Sequence, residues 1–202
     1  MMMNSRMILF FLGVFAATNS IVLASDPNPL QDFCIADINS SVRMNGFSCK
    51  SPNNVEADDF FFSGILTPRS TDNAHGSTVT PVNVETFPGL NTQGISMARV
   101  DFAPGGVNPP HVHPRASEIV TVLEGTILTE FVSSNQDGNR HFSKVLNKGD
   151  MFVIPQGMIH YQKNIGEGNA VAIGSFSSQF PGVNTIENSV LGSTPKIPTH
   201  TI

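Results

Sequence analysis

The sequence has few charged residues and no cluster of basic ones. Only 13% of its 202 residues are Asp, Glu, Lys or Arg, and the formal net charge is −5. Proteins that bind nucleic acid usually present grouped Lys and Arg side chains to the phosphates. The composition therefore excludes nucleic acid as a partner and predicts an acidic, soluble surface.

The sequence also lacks an apolar run long enough to cross a membrane. Residues 7–17 form an apolar stretch that follows Arg6 and is broken at Thr18. A membrane span needs about 20 apolar residues, whereas this stretch has the length of the apolar part of an export signal. We predict that residues 1–24 are a signal peptide cleaved after Ala24, and that the mature protein is secreted. A membrane anchor is the alternative, but no second apolar span supports it.

Cysteine is scarce, because Cys34 and Cys49 are the only two in the chain. In an exported protein, an even number of cysteines at short spacing favours one disulfide, which would stabilise the fold by about 3 kcal/mol. Two free thiols and metal ligation are the alternatives, and no other Cys or His lies nearby in sequence. The one glycosylation sequon begins at Asn39, inside the same loop.

Long helical periodicity and internal repeats are absent, so an all-β fold is expected. Residues 25–58 predict an irregular, disulfide-bonded N-terminal arm, and residues 59–202 the main domain, where the aromatic run 60–62 is expected to pack over the core. Segments rich in β-branched and aromatic residues lie at 79–87, 95–102, 119–124, 126–132, 151–154 and 170–176. Short strands separated by Gly and Pro turns predict a sandwich or barrel, of which the double-sheet jelly roll is one form.

Two glycine-bounded blocks contain the candidate chemistry. In the first, His111 and His113 are two residues apart, so on a strand both imidazoles point to the same side. Glu118 would point away on a straight strand, but a bend at Pro114 could return its carboxylate to the same place. His160 comes from the second block, and we expect each block to form a hairpin, the two hairpins being adjacent.

Three imidazoles and one carboxylate form a borderline-to-hard set of ligands that suits Mn(II), Fe(II), Ni(II) or Zn(II). An octahedral ion would keep two positions open for water or substrate. The other histidines, His75, His141 and His200, have no partner in spacing and are interpreted as ordinary surface or loop residues.

The two blocks resemble the double motif of the cupin superfamily. The segments DFAPGG at 101–106, NPPHVHPR at 108–115 and DPNPLQDFC at 26–34 are similar to those of plant germin-like proteins. The resemblance implies a jelly-roll barrel, an apoplastic location and homo-oligomers (trimers that pair into hexamers). It also implies Mn²⁺ on His111, His113, Glu118 and His160, and a disulfide between Cys34 and Cys49.

The resemblance leaves the activity open. Some family members are oxalate oxidases, in which two asparagines near the metal are thought to hold the substrate; one corresponds to Asn108 here, but the other falls at Ala98. Because alanine cannot donate a hydrogen bond to oxalate, superoxide dismutation with a role in plant defence is the first hypothesis. Asn108 and Met158 are then expected to line the open face of the metal. Oxalate oxidase, or a non-enzymatic component of the cell wall or a receptor, are the alternatives.

Two further features, the C-terminus and the tripeptide at 148–150, can be compared with family members. Members usually continue past the position of Pro198 into a helical tail that contacts a neighbouring subunit, whereas this chain ends at Ile202, so a less stable hexamer is expected. The tripeptide at 148–150 corresponds to an Arg-Gly-Asp-like motif in relatives. Here it reads Lys-Gly-Asp, and we interpret it as a turn, with an adhesion role as the alternative.

Overall fold

The computed structural model describes residues 31–43 and 46–198. The predicted signal peptide and the first residues of the predicted mature chain lie outside the described residues, as does His200. None of the helices within the described part of the chain has the length and apolarity needed to cross a bilayer.

The described residues form two antiparallel sheets of five strands each, as the jelly-roll prediction requires. One sheet has the order β1-β2-β9-β4-β7 and the other the order β10-β3-β8-β5-β6. The elements are β1 (Ser77–Val82), β2 (Ser96–Phe102), β3 (Val107–Val112), β4 (Glu118–Glu124), β5 (Thr126–Val132), β6 (His141–Asn147), β7 (Met151–Ile154), β8 (Ile159–Asn164), β9 (Ala170–Phe176), β10 (Asn184–Thr185) and a short helix α1 (Ile186–Leu191). Short 3₁₀ turns lie at Pro52–Asn54, Ala57–Phe60, Pro88–Leu90 and Asn135–Asp137.

The space between the sheets is apolar at one end and polar at the other. Alternate residues of each strand point inward. The apolar end is formed by Val100, Phe102, Val120, Val122, Ile127, Leu146, Ile154, Ala170 and Ala172. At the polar end, the inward positions include Glu118 on β4 and His160 on β8, both buried. The hydrophobic core therefore closes one end of the barrel and supports a buried polar cluster at the other.

The predicted hairpins are wrong, because both turns lead from one sheet to the other. Gly125 separates β4 from β5, yet these strands belong to different sheets, and so do β7 and β8 on either side of Pro155–Gly157. Gly125 has φ +78°, and a Cβ there would lie 2.6 Å from the Ala170 side chain. The corner therefore needs glycine both for its backbone conformation and for its close approach to β9.

The N-terminal arm is irregular in its described part, and the Cys34–Cys49 disulfide is present. Ile35 is buried, and Asn91, fully buried beside the arm, donates hydrogen bonds to the Cys34 sulfur and to the Phe47 carbonyl. The aromatic run covers the core only in part, because Phe60 and Phe61 are exposed whereas Phe62 packs against Phe87.

Candidate metal centre

Strands β3 and β8 bring His111 and His160 directly opposite each other. The two residues are paired across the antiparallel ladder, and the register shifts between Asn108 and His111. That shift contains Pro109 and Pro110, which have no N–H to donate to a neighbouring strand. The irregularity leaves both imidazoles inside the barrel, where His160 is only 1% exposed.

Glu118 reaches the same place from the opposite sheet. The predicted bend is present, as a turn at Pro114 and Arg115, and beyond it the chain enters β4 of the facing sheet. The carboxylate lies against Gly174 of β9, where an added Cβ would come within 2.5 Å of Glu118 Oε1. The five residues from His113 to Glu118 therefore carry the chain from one sheet to the other. The donors come from both sheets of the barrel rather than from adjacent hairpins.

The four predicted ligands converge in one buried cluster. His111, His113, Glu118 and His160 each offer a donor atom, and these four atoms lie within 4.8 Å of one another. Glu118 Oε2 is 3.0 Å from Nε2 of His160 and 3.4 Å from Nε2 of His113. A single cation is small enough to be shared by atoms at these separations.

A backbone carbonyl orients each imidazole. The Nδ1 atom of His111 lies 2.7 Å from the Pro109 oxygen, and that of His160 lies 2.9 Å from the Met158 oxygen. His113 Nδ1 lies 2.6 Å from the Gly182 oxygen. When each Nδ1–H donates to its carbonyl, the three Nε2 lone pairs face the cluster, which is the usual arrangement of histidines that bind a metal.

The cluster favours a neutral imidazole at His111 and an ionised carboxylate at Glu118. Burial lowers the pKa of His111 to about 4, and repulsion by His160 acts in the same direction. Burial alone would raise the pKa of Glu118, but hydrogen bonds from His113 and His160 outweigh it and bring that pKa to about 2. At neutral pH the donor atoms of His111 and Glu118 are therefore free of protons and ready to bind a cation.

The donor set fits a divalent metal better than it fits a network of hydrogen bonds. Both nitrogens of His160 face acceptors, the Met158 carbonyl and the Glu118 carboxylate. A neutral imidazole has only one N–H, so one of these contacts would bring lone pair against lone pair. A cation between the Nε2 atoms and the carboxylate removes this conflict. Nitrogen and oxygen donors of this kind suit several divalent ions.

The cluster opens into a cavity of about 570 Å³. Asn108 and Ala98 both line it, as expected from the sequence, but Met158 does not and instead packs against the apolar core. His75, interpreted from the sequence as an ordinary loop residue, lies along the outer part of the cavity. A ligand in this space would meet His111, His113 and Glu118 at its inner end.

Gln162 is a polar residue of the barrel interior that the sequence reasoning missed. Its Oε1 accepts a hydrogen bond of 2.8 Å from Asn108 Nδ2, and its side chain is buried. The Gln162 Nε2 atom has no partner among the described residues. The sequence could have indicated it, because Gln162 lies two residues after His160 and both side chains are therefore on the same face of β8.

Two other predicted positions lie on the surface of the described structure. Asn39 is exposed in the N-terminal arm, where its side chain is accessible. His141 is half exposed on β6, with Nε2 3.2 Å from the Glu130 carboxylate. Neither residue takes part in the metal-type cluster, so the site is confined to the two sequence blocks.

Comparisons with known proteins, by sequence and by structure, agree on one family. A family model described as Cupin matches residues 63–202. Germin-like protein 8-2 of Oryza sativa subsp. japonica is 63% identical over 177 residues, covering 87% of this chain and 80% of that protein. Germin-like protein subfamily 1 member 20 of Arabidopsis thaliana is 57% identical over 186 residues, covering 92% and 84%. A recombinant oxalate oxidase solved in complex with glycolate superposes with a TM-score of 0.85 at 46% identity, covering 88% of this chain and 89% of that one.

Proposed function

Because this chain belongs to the germin-like proteins of the cupin family, we propose that it is a manganese-binding protein of reactive-oxygen chemistry, with superoxide dismutation as its activity. The observation that carries the proposal is the buried cluster of His111, His113, Glu118 and His160, whose donor atoms lie within 4.8 Å of one another. An open cavity leads to that cluster, so a small molecule has access to the donors.

A bound manganese ion would supply one-electron exchange between its divalent and trivalent states. The chain contributes the ligand set and the environment around it. The carbonyls of Pro109, Met158 and Gly182 hold the imidazoles in one tautomer and orientation. Such contacts from groups beyond the ligands tune the affinity and redox potential of a site.

Asn108 would supply a polar contact for a small oxygen species. Its side chain lines the cavity, and its Nδ2 donates to the buried Gln162 Oε1, which fixes the orientation of the amide. Superoxide is small and needs no second polar anchor. The apolar wall formed by Ala98 and Phe176 therefore does not work against this substrate.

Oxalate oxidation is the second candidate, and the similarity to an oxalate oxidase favours it. Asn108 is present for it, but Ala98 presents only a methyl group to the cavity. A site built to hydrogen-bond a dicarboxylate loses orders of magnitude in specificity for it when the donor is missing. We therefore favour superoxide over oxalate as the substrate.

The test is elemental analysis and EPR of protein purified from a plant secretory route, followed by paired superoxide and oxalate assays. The proposal expects close to one manganese per chain and dismutation well above that of the same concentration of free Mn(II). Manganese-loaded protein no more active than the free ion would contradict the enzymatic proposal. Retained binding to wall material would then favour the non-enzymatic alternative.

The setting of this activity is proposed from the family and the sequence together. We place the protein in the apoplast as a homo-oligomer, with a glycan at Asn39 and a role in plant defence. The apolar outer face at β4 and β7 supports assembly, because Met151 is 66% exposed and Val153 is 59% exposed. Apolar patches of this kind commonly mark interfaces between protein chains.

A further inference from the structure

One of the three candidate metal-binding imidazoles is oriented by a distant part of the chain. His111 and His160 contact carbonyls only two residues before them in the chain. The carbonyl that faces His113 Nδ1 belongs to Gly182, 69 residues away. The orientation of His113 therefore depends on tertiary packing, whereas local backbone sets the other two.

Gly182 belongs to a segment, residues 177–185, that lies along the end of β3; we call it the strap. Ser177 N–H donates to the Ser117 carbonyl at 3.1 Å, and Arg115 N–H donates to the Pro181 carbonyl at 3.2 Å. The strap ends in β10, whose Thr185 pairs with His111. Its residues 180–183 also line the cavity, so the strap is both a wall of the cavity and the support of His113.

The side chain of Arg115 holds the centre of the strap. Its Nε donates to the Phe180 carbonyl at 2.8 Å, and its guanidinium carbon lies 5.3 Å from the centre of the Phe180 ring. A Cβ added to Gly182 would lie 2.7 Å from the same guanidinium group, so the two are in close contact. Among the described residues, no carboxylate forms an ion pair with Arg115. Its hydrogen bonds and its ring contact are all with the strap.

We propose that Arg115 is a positioning residue for the metal centre, which acts through the strap on His113. Arg115 fixes Phe180 and Gly182, and so holds in place the Gly182 carbonyl that orients the His113 imidazole. Binding of a metal and docking of the strap then stabilise each other, because any coupling between two equilibria is reciprocal. This inference rests on the proposed metal site.

The experiment compares Arg115→Ala with wild type and with Arg140→Ala. Arg140 is a matched control, because its guanidinium also lies over a ring, that of Phe142 at 4.9 Å, but it lies away from the cavity. Mn(II) affinity is measured by EPR of the free ion, and thermal unfolding is measured on the metal-free proteins. We expect Arg115→Ala to lose about ten-fold in affinity, as is usual when a group that orients a ligand is removed. We expect Arg140→Ala to bind as wild type does.

A purely structural role would lower the stability of the metal-free protein without a specific loss of affinity. We therefore expect the metal-free Arg115→Ala and Arg140→Ala variants to unfold at similar temperatures. Hydrogen exchange of the strap amides should slow when Mn(II) is added to wild type, and should slow less in Arg115→Ala. Arg115→Lys should recover part of the affinity, and it carries the test if the alanine variant does not fold.

The outcomes separate this inference from the proposed function. Wild-type protein that fails to bind Mn(II) would contradict the proposed function. Wild-type protein that binds Mn(II), together with unchanged affinity in Arg115→Ala and in Arg115→Lys, would overturn the role of Arg115 and leave the proposed function standing.

Discussion

The buried His111 imidazole is neutral at neutral pH, and its low pKa makes the stability of the fold depend on pH. The pKa of His111 is lowered by burial to about 4, from an ordinary value near 6.5. Between these two values the unfolded chain binds more protons than the folded chain does, so the free energy of unfolding decreases as the pH falls. The stabilisation is complete above pH 6.5 and is lost as the pH falls to 4.

We therefore predict that metal-free protein loses stability between pH 6.5 and 4. The displacement of the His111 pKa corresponds to roughly 3 kcal/mol. Denaturant unfolding in the presence of a chelator, repeated across this range, measures the loss. His111→Gln should flatten the dependence, whereas replacement of the exposed His75 should not. An equally steep dependence in His111→Gln would show that other groups cause it.

Ala98 is the residue at which substrate preference can be tested. It lines the cavity and packs with Ala116 and Phe176. Ala98→Asn should add a hydrogen-bond donor and so raise peroxide release from oxalate by at least about ten-fold, a conservative share of the discrimination that such a contact provides. Steady-state assays on manganese-loaded protein check this. Ala116→Asn would be an unsuitable control because it disturbs packing, so Ala98→Ser is used to separate polarity from reach.

Glu85 is an exposed acidic residue on the outer part of the cavity. It repels an anionic substrate such as superoxide, and Glu85→Lys reverses this charge. We expect dismutation by the variant to be about two- to five-fold faster at low salt, with the gain removed by about 0.5 M salt, because screening suppresses electrostatic steering. Glu167→Lys changes the net charge equally without lining the cavity. An equal gain in that control would mean that net charge alone, and not Glu85, is responsible.

At the scale of elements, the sequence predicted the strands that have apolar residues in their inward positions. β5, β7 and β9 have the predicted bounds, whereas the first predicted strand, 79–87, ends early at Val82. No strand was predicted for β6 or β10, and β3 and β8 were expected only as parts of the two blocks, without bounds. β8 directs His160, Gln162 and Asn164 inward, so the residues that build the site replace the apolar alternation by which a half-buried strand is recognised.

The site was predicted more fully than the path of the chain through it. Spacing alone put His111 and His113 on one side of a strand. It could not show that Gly125 leads into the other sheet, because a glycine turn between two strands is equally typical of a hairpin. The contact of His113 with Gly182 was beyond local reasoning for the same reason, since it joins residues 69 positions apart.

The N-terminal arm gives a prediction at this scale. The disulfide joins residues 15 positions apart, and in the chain-entropy model such a crosslink stabilises the fold by about 3 kcal/mol. A Cys34→Ala, Cys49→Ala double variant should lose about this amount in denaturant unfolding. Its Mn(II) affinity should be unchanged, because neither cysteine lines the metal-site cavity. Weakened Mn(II) binding would show that the arm supports the metal centre.

At the scale of the whole molecule, the outer face at β4 and β7 predicts self-association. Ile119 and Val153 are neighbours across these strands, and both are exposed. Val153→Lys would bury a charge in any interface formed there, so we expect a smaller assembly than wild type forms. Size-exclusion chromatography with light scattering measures it, with Lys144→Ala on the opposite sheet as the control. A wild-type monomer would contradict the proposed oligomer, and an unchanged Val153→Lys assembly would place its interface elsewhere.

The crossing of the chain between His113 and Glu118 divides the donors unequally, with three imidazoles on one layer of the barrel and the carboxylate on the other. A cation held by all four is therefore a cross-link between the layers, comparable in effect to a covalent staple. Removing it would release the two layers to move apart at that end while the apolar end stays closed. The metal-free form should accordingly be the one that proteases cut first, and the first cuts should fall at the open end of the barrel.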